Sequence, residues 1–161
     1  MARPFYETSR ESNSSSVRRG SGVRGKNFVY TMLRLMNERN EVGVVNDQFG
    51  CPTYAPDLAA AIVAIVAADS RSFGTYHFTN DGQISWYDFA CAIERMGRAK
   101  GRISHPCTVR PIRTEDYPSK TVRPKYSVLA KDKIKRVLGV SAPRWEDGLE
   151  RFFARLGEKQ R

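Results

Sequence analysis

Three glycines near the start of the chain, Gly20, Gly22 and Gly25, have the Gly-x-Gly-x-x-Gly spacing of a dinucleotide-binding turn. Between a strand and a helix, such a turn lets the backbone approach the pyrophosphate of a cofactor closely. The residues after the motif can form a helix, but residues 9–19 are rich in Ser and Arg and show no apolar alternation. Because no strand precedes the motif, we predict no cofactor-binding residues here.

Cysteine and histidine side chains could also do chemistry, as nucleophiles or as metal ligands. Cys51, Cys91 and Cys107 are odd in number and widely spaced, and they form neither a zinc pattern nor a disulfide framework. The two histidines, His77 and His105, have no acid and nucleophile pattern near them, so we interpret both as structural. The sequence therefore predicts no metal ligands, although it leaves metal use open, and it indicates reduced thiols of a cytoplasmic protein.

The charge of the chain raises the question of anionic partners. The formal net charge is +10, which favours anions of any kind. The basic residues are scattered, and no aromatic platform or helix-turn-helix accompanies them, as a nucleic-acid surface would require. Solvated helix faces are therefore the first interpretation, an anion site of nucleotide size the second, and a nucleic acid the last. No apolar run reaches the roughly 20 residues of a membrane span, so we expect no membrane partner.

The hydrophobic pattern predicts several helices and few strands. Helices are expected at residues 27–39, 56–68, 85–97, 131–138 and 143–156, and strands at residues 42–45, 74–79 and 107–112. The helix at residues 56–68 is apolar on most sides, which predicts that it is largely buried. Alternation of strands and helices indicates the α/β class. So few short strands indicate part of a larger unit rather than a domain with its own central sheet.

Residues 1–24 differ from the rest of the chain. They are rich in Ser and Arg and have almost no apolar residues after Tyr6. Such a segment cannot bury enough surface to offset its ordering entropy, so we expect it to be poorly ordered. The folded lobe is then expected over residues 25–161.

Residues 44–59, Val-Val-Asn-Asp-Gln-Phe-Gly-Cys-Pro-Thr-Tyr-Ala-Pro-Asp-Leu-Ala, closely resemble the dTDP-4-dehydrorhamnose reductases, which belong to the extended short-chain dehydrogenase/reductase superfamily. Further matching blocks follow the family order at residues 25–29, 74–80, 85–87, 123–124, 126–127 and 145–149. The resemblance runs from about Gly25 to Leu156. It implies the C-terminal substrate-binding lobe of such an enzyme, with few short strands, several helices and the Rossmann half missing.

The resemblance also implies an activity and a cofactor. The family reduces dTDP-4-dehydro-L-rhamnose to dTDP-L-rhamnose with NADP(H), for polysaccharide precursor synthesis. A Tyr-x-x-x-Lys pair in the N-terminal half supplies the proton, and the Lys lowers the pKa of the Tyr. None of the seven tyrosines here is followed by Lys four residues later, so we predict no catalytic residues in this chain and no activity from it alone. The alternative is a non-catalytic protein that holds a nucleotide-sugar or a partner reductase.

Five residues are implied as substrate contacts by the resemblance. Asn27 opens a helix whose free N–H groups could bind phosphate, with a plain helix cap as the alternative. Gln48, Pro52 and Thr53 lie in the loop that matches the family's nucleotide-sugar segment, with a tight structural turn as the alternative. Arg123 offers a planar fork for pyrophosphate, with a solvated surface position as the alternative.

Two neighbours of these residues have other interpretations. Asp57 is interpreted as a carboxylate at a helix start rather than as a ligand contact. Cys51 stands where relatives often carry a small Ser, and a reactive thiol is the less favoured interpretation.

A lobe without its Rossmann half should expose apolar surface, so we also expect self-association through that surface.

Residues 9–24 stand where the family has a strand. With Ser read as TCN and Arg as CGN, the codons read one phase away permit Pro-Gly-Ile-Lys-Phe-Ile-Ile-Arg-Thr-Ala-Trp-Leu, which resembles that strand. Our hypothesis is a local frameshift over Ser9 to Arg24, either in the gene or in its reported sequence. The glycine motif would then be an accident of out-of-phase reading, and the nucleotide sequence decides the matter.

Overall fold

Helices surround two small sheets in the computed structural model, which describes residues 27–68, 71–117 and 121–158. The helices are α1 (Phe28–Glu38), α2 (Ala55–Ala67), α3 (Trp86–Ala99), α4 (Asp132–Leu138) and α5 (Trp145–Glu158). The strands are β1 (Glu41–Val45), β2 (Phe49–Gly50), β3 (Ile84–Ser85) and β4 (Thr108–Ile112), and a 3-10 turn lies at Thr114–Asp116. The α/β class is confirmed. The predictions for residues 1–24, including the glycine motif, fall outside the described residues.

The two sheets bring distant parts of the chain together. β1 pairs with β4 in parallel, with Glu41 opposite Thr108 and Val45 opposite Ile112. β2 pairs with β3 in the antiparallel sense. Because parallel strands run in the same direction, the residues that follow β1 and those that follow β4 meet at one edge of the sheet. Ligands of open α/β sheets bind at such carboxyl edges.

The core lies between the β1–β4 sheet and the helices α1, α3 and α5. Met32 and Met36 of α1 and Ile93 of α3 are fully buried in it. Gly97 lets α3 approach its neighbours closely, because a Cβ atom there would lie 2.7 Å from the Ile103 side chain and 3.0 Å from that of Leu33. The helix expected at residues 27–39 is present as α1, and its buried residues Met32, Leu33, Leu35 and Met36 form its core face.

Side chains and a glycine at the helix ends explain where α1, α3 and α4 begin or end. The Asn27 side chain accepts a hydrogen bond from the Tyr30 N–H at 2.9 Å and caps α1. The Ser85 hydroxyl oxygen accepts from the Asp88 N–H at 3.0 Å and caps α3, which runs two residues beyond the predicted end at Gly97. Gly139 ends α4 with a φ of +66°, a left-handed conformation that glycine adopts without strain.

The expectation that the second helix is largely buried is wrong. Only Asp57 and Ala61 of α2 are buried, whereas the exposed fraction is 66% for Val63 and 74% for Val66. An apolar helix becomes buried only if neighbours cover each of its sides. The described part of the chain covers α2 mainly along one face, which includes Ala61.

The expected strand at residues 74–79 is also wrong. These residues form no strand, because no described strand lies beside them to complete a backbone ladder. Side chains take part of that role instead. Lys133 Nζ donates to the Thr75 carbonyl oxygen at 2.8 Å and lies 4.5 Å from the centre of the Tyr76 ring.

Candidate functional site

Three polar side chains meet where β1 and β4 end at the same edge of their sheet. Asp47 Oδ1 accepts hydrogen bonds from the Thr114 backbone N–H at 3.0 Å and from the Thr114 hydroxyl at 2.7 Å. Gln48 is buried, and its Nε2 donates to the same hydroxyl oxygen at 3.1 Å. The hydrogen bond from the Thr114 hydroxyl is the main reason that the pKa of the Asp47 carboxyl lies below its usual value. This anionic cluster fixes the start of the loop that leads from β1 to α2.

That loop is bound to the segment that carries Arg123. The Phe49 N–H donates to the Lys125 carbonyl oxygen at 2.8 Å, and the Ser127 N–H donates to the Phe49 carbonyl oxygen at 2.8 Å. The Ser127 hydroxyl donates to the same carbonyl at 3.0 Å. Arg123 is exposed and precedes Lys125 by two residues. The backbone bonds therefore place a basic segment beside the loop of Gln48.

The start of α1 approaches the same loop through aromatic side chains. Phe28, the residue after Asn27, packs on Trp86 with ring centres 5.0 Å apart. The Trp86 backbone N–H in turn donates to the Gln48 carbonyl oxygen at 3.3 Å. The helix start, the loop and the basic segment thus belong to one connected region of the molecule.

The second half of the loop is held by Asn80, which is fully buried. Asn80 Oδ1 accepts a hydrogen bond from the Tyr54 N–H at 2.7 Å, and the Asn80 carbonyl oxygen accepts one from the Cys51 thiol. Asn80 Nδ2 donates to Asp57 Oδ2 at 2.6 Å and to the Pro143 carbonyl oxygen at 3.2 Å. Both ends of the stretch from Cys51 to Tyr54 are therefore attached to one side chain and its backbone.

Asp57 lies in the first turn of α2, and the interpretation as a helix-start carboxylate is confirmed. Arg151 of α5 donates to both of its oxygens, from Nη1 at 2.6 Å and from Nη2 at 2.7 Å. Burial raises the pKa of the Asp57 carboxyl, but the hydrogen bonds from Arg151 and Asn80 outweigh it and leave the pKa below its usual value. The Arg151 guanidinium also lies 5.2 Å from the centre of the Tyr54 ring.

The five predicted substrate contacts fall within this region. Gln48, Pro52 and Thr53 share the loop, Arg123 lies on the segment bound to it, and Asn27 begins the helix linked to it. Thr53 and Arg123 are exposed, and Pro52 is half-buried. The Asn27 side chain serves as a helix cap, and the Gln48 amide nitrogen binds Thr114. Contact of any of the five with a ligand stays a prediction.

Sequence reasoning missed the residues that support the loop. Asn80 stands in the stretch Asn-Asp-Gly, which has the composition of an ordinary turn. Arg151 is 94 residues from Asp57, and its helix carries a second arginine, Arg155, one turn later. Thr114 begins a segment that reads as irregular. No local signal marks any of them, because their partners are distant in the chain.

The three cysteines lie in surroundings that favour the protonated thiol. Burial raises the pKa of the thiols of Cys51, Cys91 and Cys107, which disfavours the reactive thiolate form. Among residues 27–68, 71–117 and 121–158, no three His, Cys, Asp or Glu side chains are grouped so that they could hold a metal ion. Within the same residues, no helix combines the length and the apolar character that crossing a membrane requires.

A separate apolar cleft of about 350 Å³ lies between α2, the stretch at residues 76–78 and the start of α4. Its lining includes Leu58, Ile62, Tyr76, Phe78 and Ile134. A pyrophosphate needs charge-assisted donors. This lining offers mainly hydrocarbon and aromatic surface, so the cleft suits an apolar partner better than a nucleotide-sugar.

Comparisons with known proteins agree on one family. The family model described as RmlD substrate binding domain matches residues 14–158. The chain is 39% identical over 137 residues to a dTDP-4-dehydrorhamnose reductase of Aggregatibacter actinomycetemcomitans, a match that covers 83% of this chain and 47% of that protein. It is 40% identical over 133 residues to the spore coat polysaccharide biosynthesis protein SpsK of Bacillus subtilis, covering 82% of this chain and 43% of that protein.

A solved structure gives the same result. The crystal structure of dTDP-4-dehydrorhamnose reductase from Bacillus anthracis in complex with NADP is similar to this chain, with a TM-score of 0.74 and 38% sequence identity. The match covers 84% of this chain and 45% of that one. The chain thus spans about half the length of the curated relatives it matches.

Proposed function

Since the chain belongs to the family of RmlD substrate-binding domains, we propose that it is the part of a dTDP-4-dehydrorhamnose reductase that binds the dTDP-sugar. The family resemblance of the sequence and the fold of the described residues both support this proposal. A nucleotide-sugar needs donors for its pyrophosphate and partners for its base and sugar hydroxyls. The loop at residues 46–54 and the segment at residues 123–127 offer such groups side by side.

One observation carries the proposal: the backbone of Phe49 is bound to Lys125 and Ser127, so that the loop and the basic segment form one surface. Thr53 is exposed in the loop and could donate its hydroxyl to phosphate. Arg123 is exposed two residues before Lys125, on the segment bound to Phe49, and could bind the pyrophosphate with its planar fork. Gln48, Pro52 and Asn27 complete the proposed site from the loop and from the start of α1.

The reductive half of the reaction requires groups that this chain does not offer. In the family, NADP(H) supplies the hydride when it is bound. The single Gly-x-Gly-x-x-Gly match lies outside the described residues, and no Tyr-x-x-x-Lys pair occurs in the sequence. We therefore propose that the 161-residue chain alone binds the sugar nucleotide without reducing it.

The three thiols, none in a disulfide, support a cytoplasmic location.

Two measurements on the purified 161-residue chain test this function. Calorimetric titration with dTDP-L-rhamnose should show micromolar binding, whereas L-rhamnose without the nucleotide should give no heat. Mixing with NADPH and dTDP-4-dehydro-L-rhamnose should give no oxidation of NADPH. Absence of heat with dTDP-L-rhamnose contradicts the binding function, and sustained turnover contradicts the proposed lack of activity.

A second candidate function is a non-catalytic protein that holds a nucleotide-sugar or a partner reductase. The exposed apolar side chains of α2 favour it, because monomeric proteins rarely expose a contiguous apolar patch of large size. Self-association through the surface that a Rossmann half would cover is a separate proposal, and the exposed face of α2 is the candidate for that surface. Neither function involves a nucleic acid, and a steep salt dependence of binding to DNA or RNA would contradict both.

A further inference from the structure

The short stretch from Cys51 to Tyr54 is attached to the rest of the molecule at both of its ends through Asn80. The Cys51 thiol donates to the Asn80 backbone carbonyl, and the Tyr54 N–H donates to the Asn80 side-chain oxygen. Only Pro52 and Thr53 lie between these attachments. Because the Pro52 ring fixes its own φ, the stretch has few conformations left once both ends are held.

The partners of Asn80 determine which way its amide points. Oδ1 faces a backbone N–H donor, while Nδ2 faces two acceptors, the Asp57 carboxylate and the Pro143 carbonyl oxygen. No other side chain of this size offers an acceptor and a donor in that arrangement. An aspartate at position 80 would bring a second carboxylate against Asp57, and an aliphatic residue would leave the Tyr54 N–H without its partner. A buried polar group that loses its partner is costly.

Asp57 is in turn oriented by α5. Arg151 binds both carboxylate oxygens, and Gly148 allows that helix to lie against Tyr54, where a Cβ atom would be 2.9 Å from the Tyr54 Cβ. Backbone bonds between Asp81 and the residues around Arg144 tie the Asn80 turn to the start of the same helix. The position of the loop is therefore coupled to a helix near the end of the chain.

We propose that Asn80, Asp57 and Arg151 form a positioning cluster that sets the shape of the Pro52–Thr53 stretch for its ligand. This inference rests on the proposed function, in which Pro52 and Thr53 contact the dTDP-sugar. The three residues act through the backbone of the loop and touch no ligand themselves. Their removal should therefore weaken binding by changing the loop, not by deleting a contact.

The test combines ligand affinity with a measurement that needs no ligand. In Asn80→Ala, the Tyr54 amide should exchange its hydrogen faster, and the Kd for dTDP-L-rhamnose should rise about tenfold. The Asp88 amide, bound to the Ser85 hydroxyl at the start of α3, serves as the internal reference and should keep its exchange rate. Arg151→Lys retains the positive charge, and the side chain it changes is half-exposed. This variant therefore tests the cluster if Asn80→Ala does not fold.

A matched control separates positioning from general loss of an ion pair. Arg34 binds both carboxylate oxygens of Glu38 on the exposed face of α1, so Arg34→Lys makes the same chemical change away from the loop. Arg151→Lys should raise the Kd and the Tyr54 exchange rate, and Arg34→Lys should change neither. Unchanged affinity in the cluster variants, while the unsubstituted chain binds, overturns the positioning role. If the unsubstituted chain gives no heat, the proposed function fails, and the ligand role of the cluster fails with it.

Discussion

Arg151 of α5 donates to both carboxylate oxygens of Asp57 of α2, at 2.6 and 2.7 Å. The two residues are 94 positions apart in the sequence, and their contact joins the two helices. Asp57 is buried, whereas the Arg151 side chain is 46% exposed. The pair fixes the first turn of α2 against α5, and Asn80 extends this link to the backbone of the candidate ligand loop. A contact between distant elements thus determines the shape of a short loop.

Removal of the buried carboxylate should destabilise the fold. Asp57→Ala takes away the acceptors of Arg151 and Asn80, and hydrogen bonds to charged groups contribute about 1.5–3 kcal/mol. We expect the free energy of unfolding in urea to fall by about 2 kcal/mol. Arg34→Ala breaks the exposed pair with Glu38 and should cost about 0.5 kcal/mol or less. Equal losses in the two variants would contradict the structural role of Asp57.

The same pair predicts a pH dependence of stability. The pKa of Asp57 is lowered in the folded chain, so the unfolded chain binds the proton more readily. The contribution of the Asp57 carboxylate to the free energy of unfolding should be complete above the ordinary carboxyl pKa of about 3.9. It should be lost as the pH falls through the lower pKa that Asp57 has in the folded chain. Urea unfolding between neutral and acidic pH should show this loss, and Asp57→Asn should reduce it. An acid dependence that is the same in Asp57→Asn would exclude this carboxylate as a source.

Two glycines of α5 offer a direct comparison. At Gly148 a Cβ atom would lie 2.9 Å from the Tyr54 Cβ, so Gly148→Ala should push the loop away and cost about 1–3 kcal/mol. At Gly157 the nearest atom would be 4.0 Å away, so Gly157→Ala should be neutral or stabilising by up to about 1 kcal/mol. Thermal unfolding of both variants measures the difference. Stabilisation by Gly148→Ala would show that the loop is not packed against α5.

The exposed face of α2 should govern association. Val63 and Val66 are among the most exposed apolar side chains of the described residues, so Val63→Ser combined with Val66→Ser should shift the chain towards the monomer. Sedimentation velocity over a range of concentrations measures this shift. Val137→Ser changes an exposed apolar residue of α4 and should leave association as it is. A chain that stays monomeric without any substitution contradicts the proposed self-association.

Features that depend on neighbours in the sequence could be predicted well. The caps at Asn27 and Ser85 and the glycine that ends α4 act within one helical turn, so the residue types alone predict these helix ends. The three valines among residues 41–45 predict the buried strand there. For the candidate site, the family resemblance gave the loop and the basic segment, which the structure then brought together.

Features that depend on packing could not be predicted. The composition of α2 indicates burial, but its exposure depends on what covers each side. The residues at 74–79 have strand character, yet a strand requires a partner at hydrogen-bonding distance. Asn80 and Arg151 have side chains that are common in turns and on helix surfaces. Only the folded arrangement shows that they hold Tyr54 and Asp57.

The most direct test of the proposed dTDP-sugar site is calorimetric titration of the 161-residue chain and two arginine variants with dTDP-L-rhamnose. Arg123→Ala removes the exposed guanidinium of the segment bound to the loop, and Arg110→Ala removes a guanidinium of β4 that is paired with Glu41 of β1. We predict micromolar binding by the unsubstituted chain, a Kd raised about tenfold by Arg123→Ala, and no change with Arg110→Ala. No binding by the unsubstituted chain, or equal Kd values in all three proteins, would contradict the proposed site.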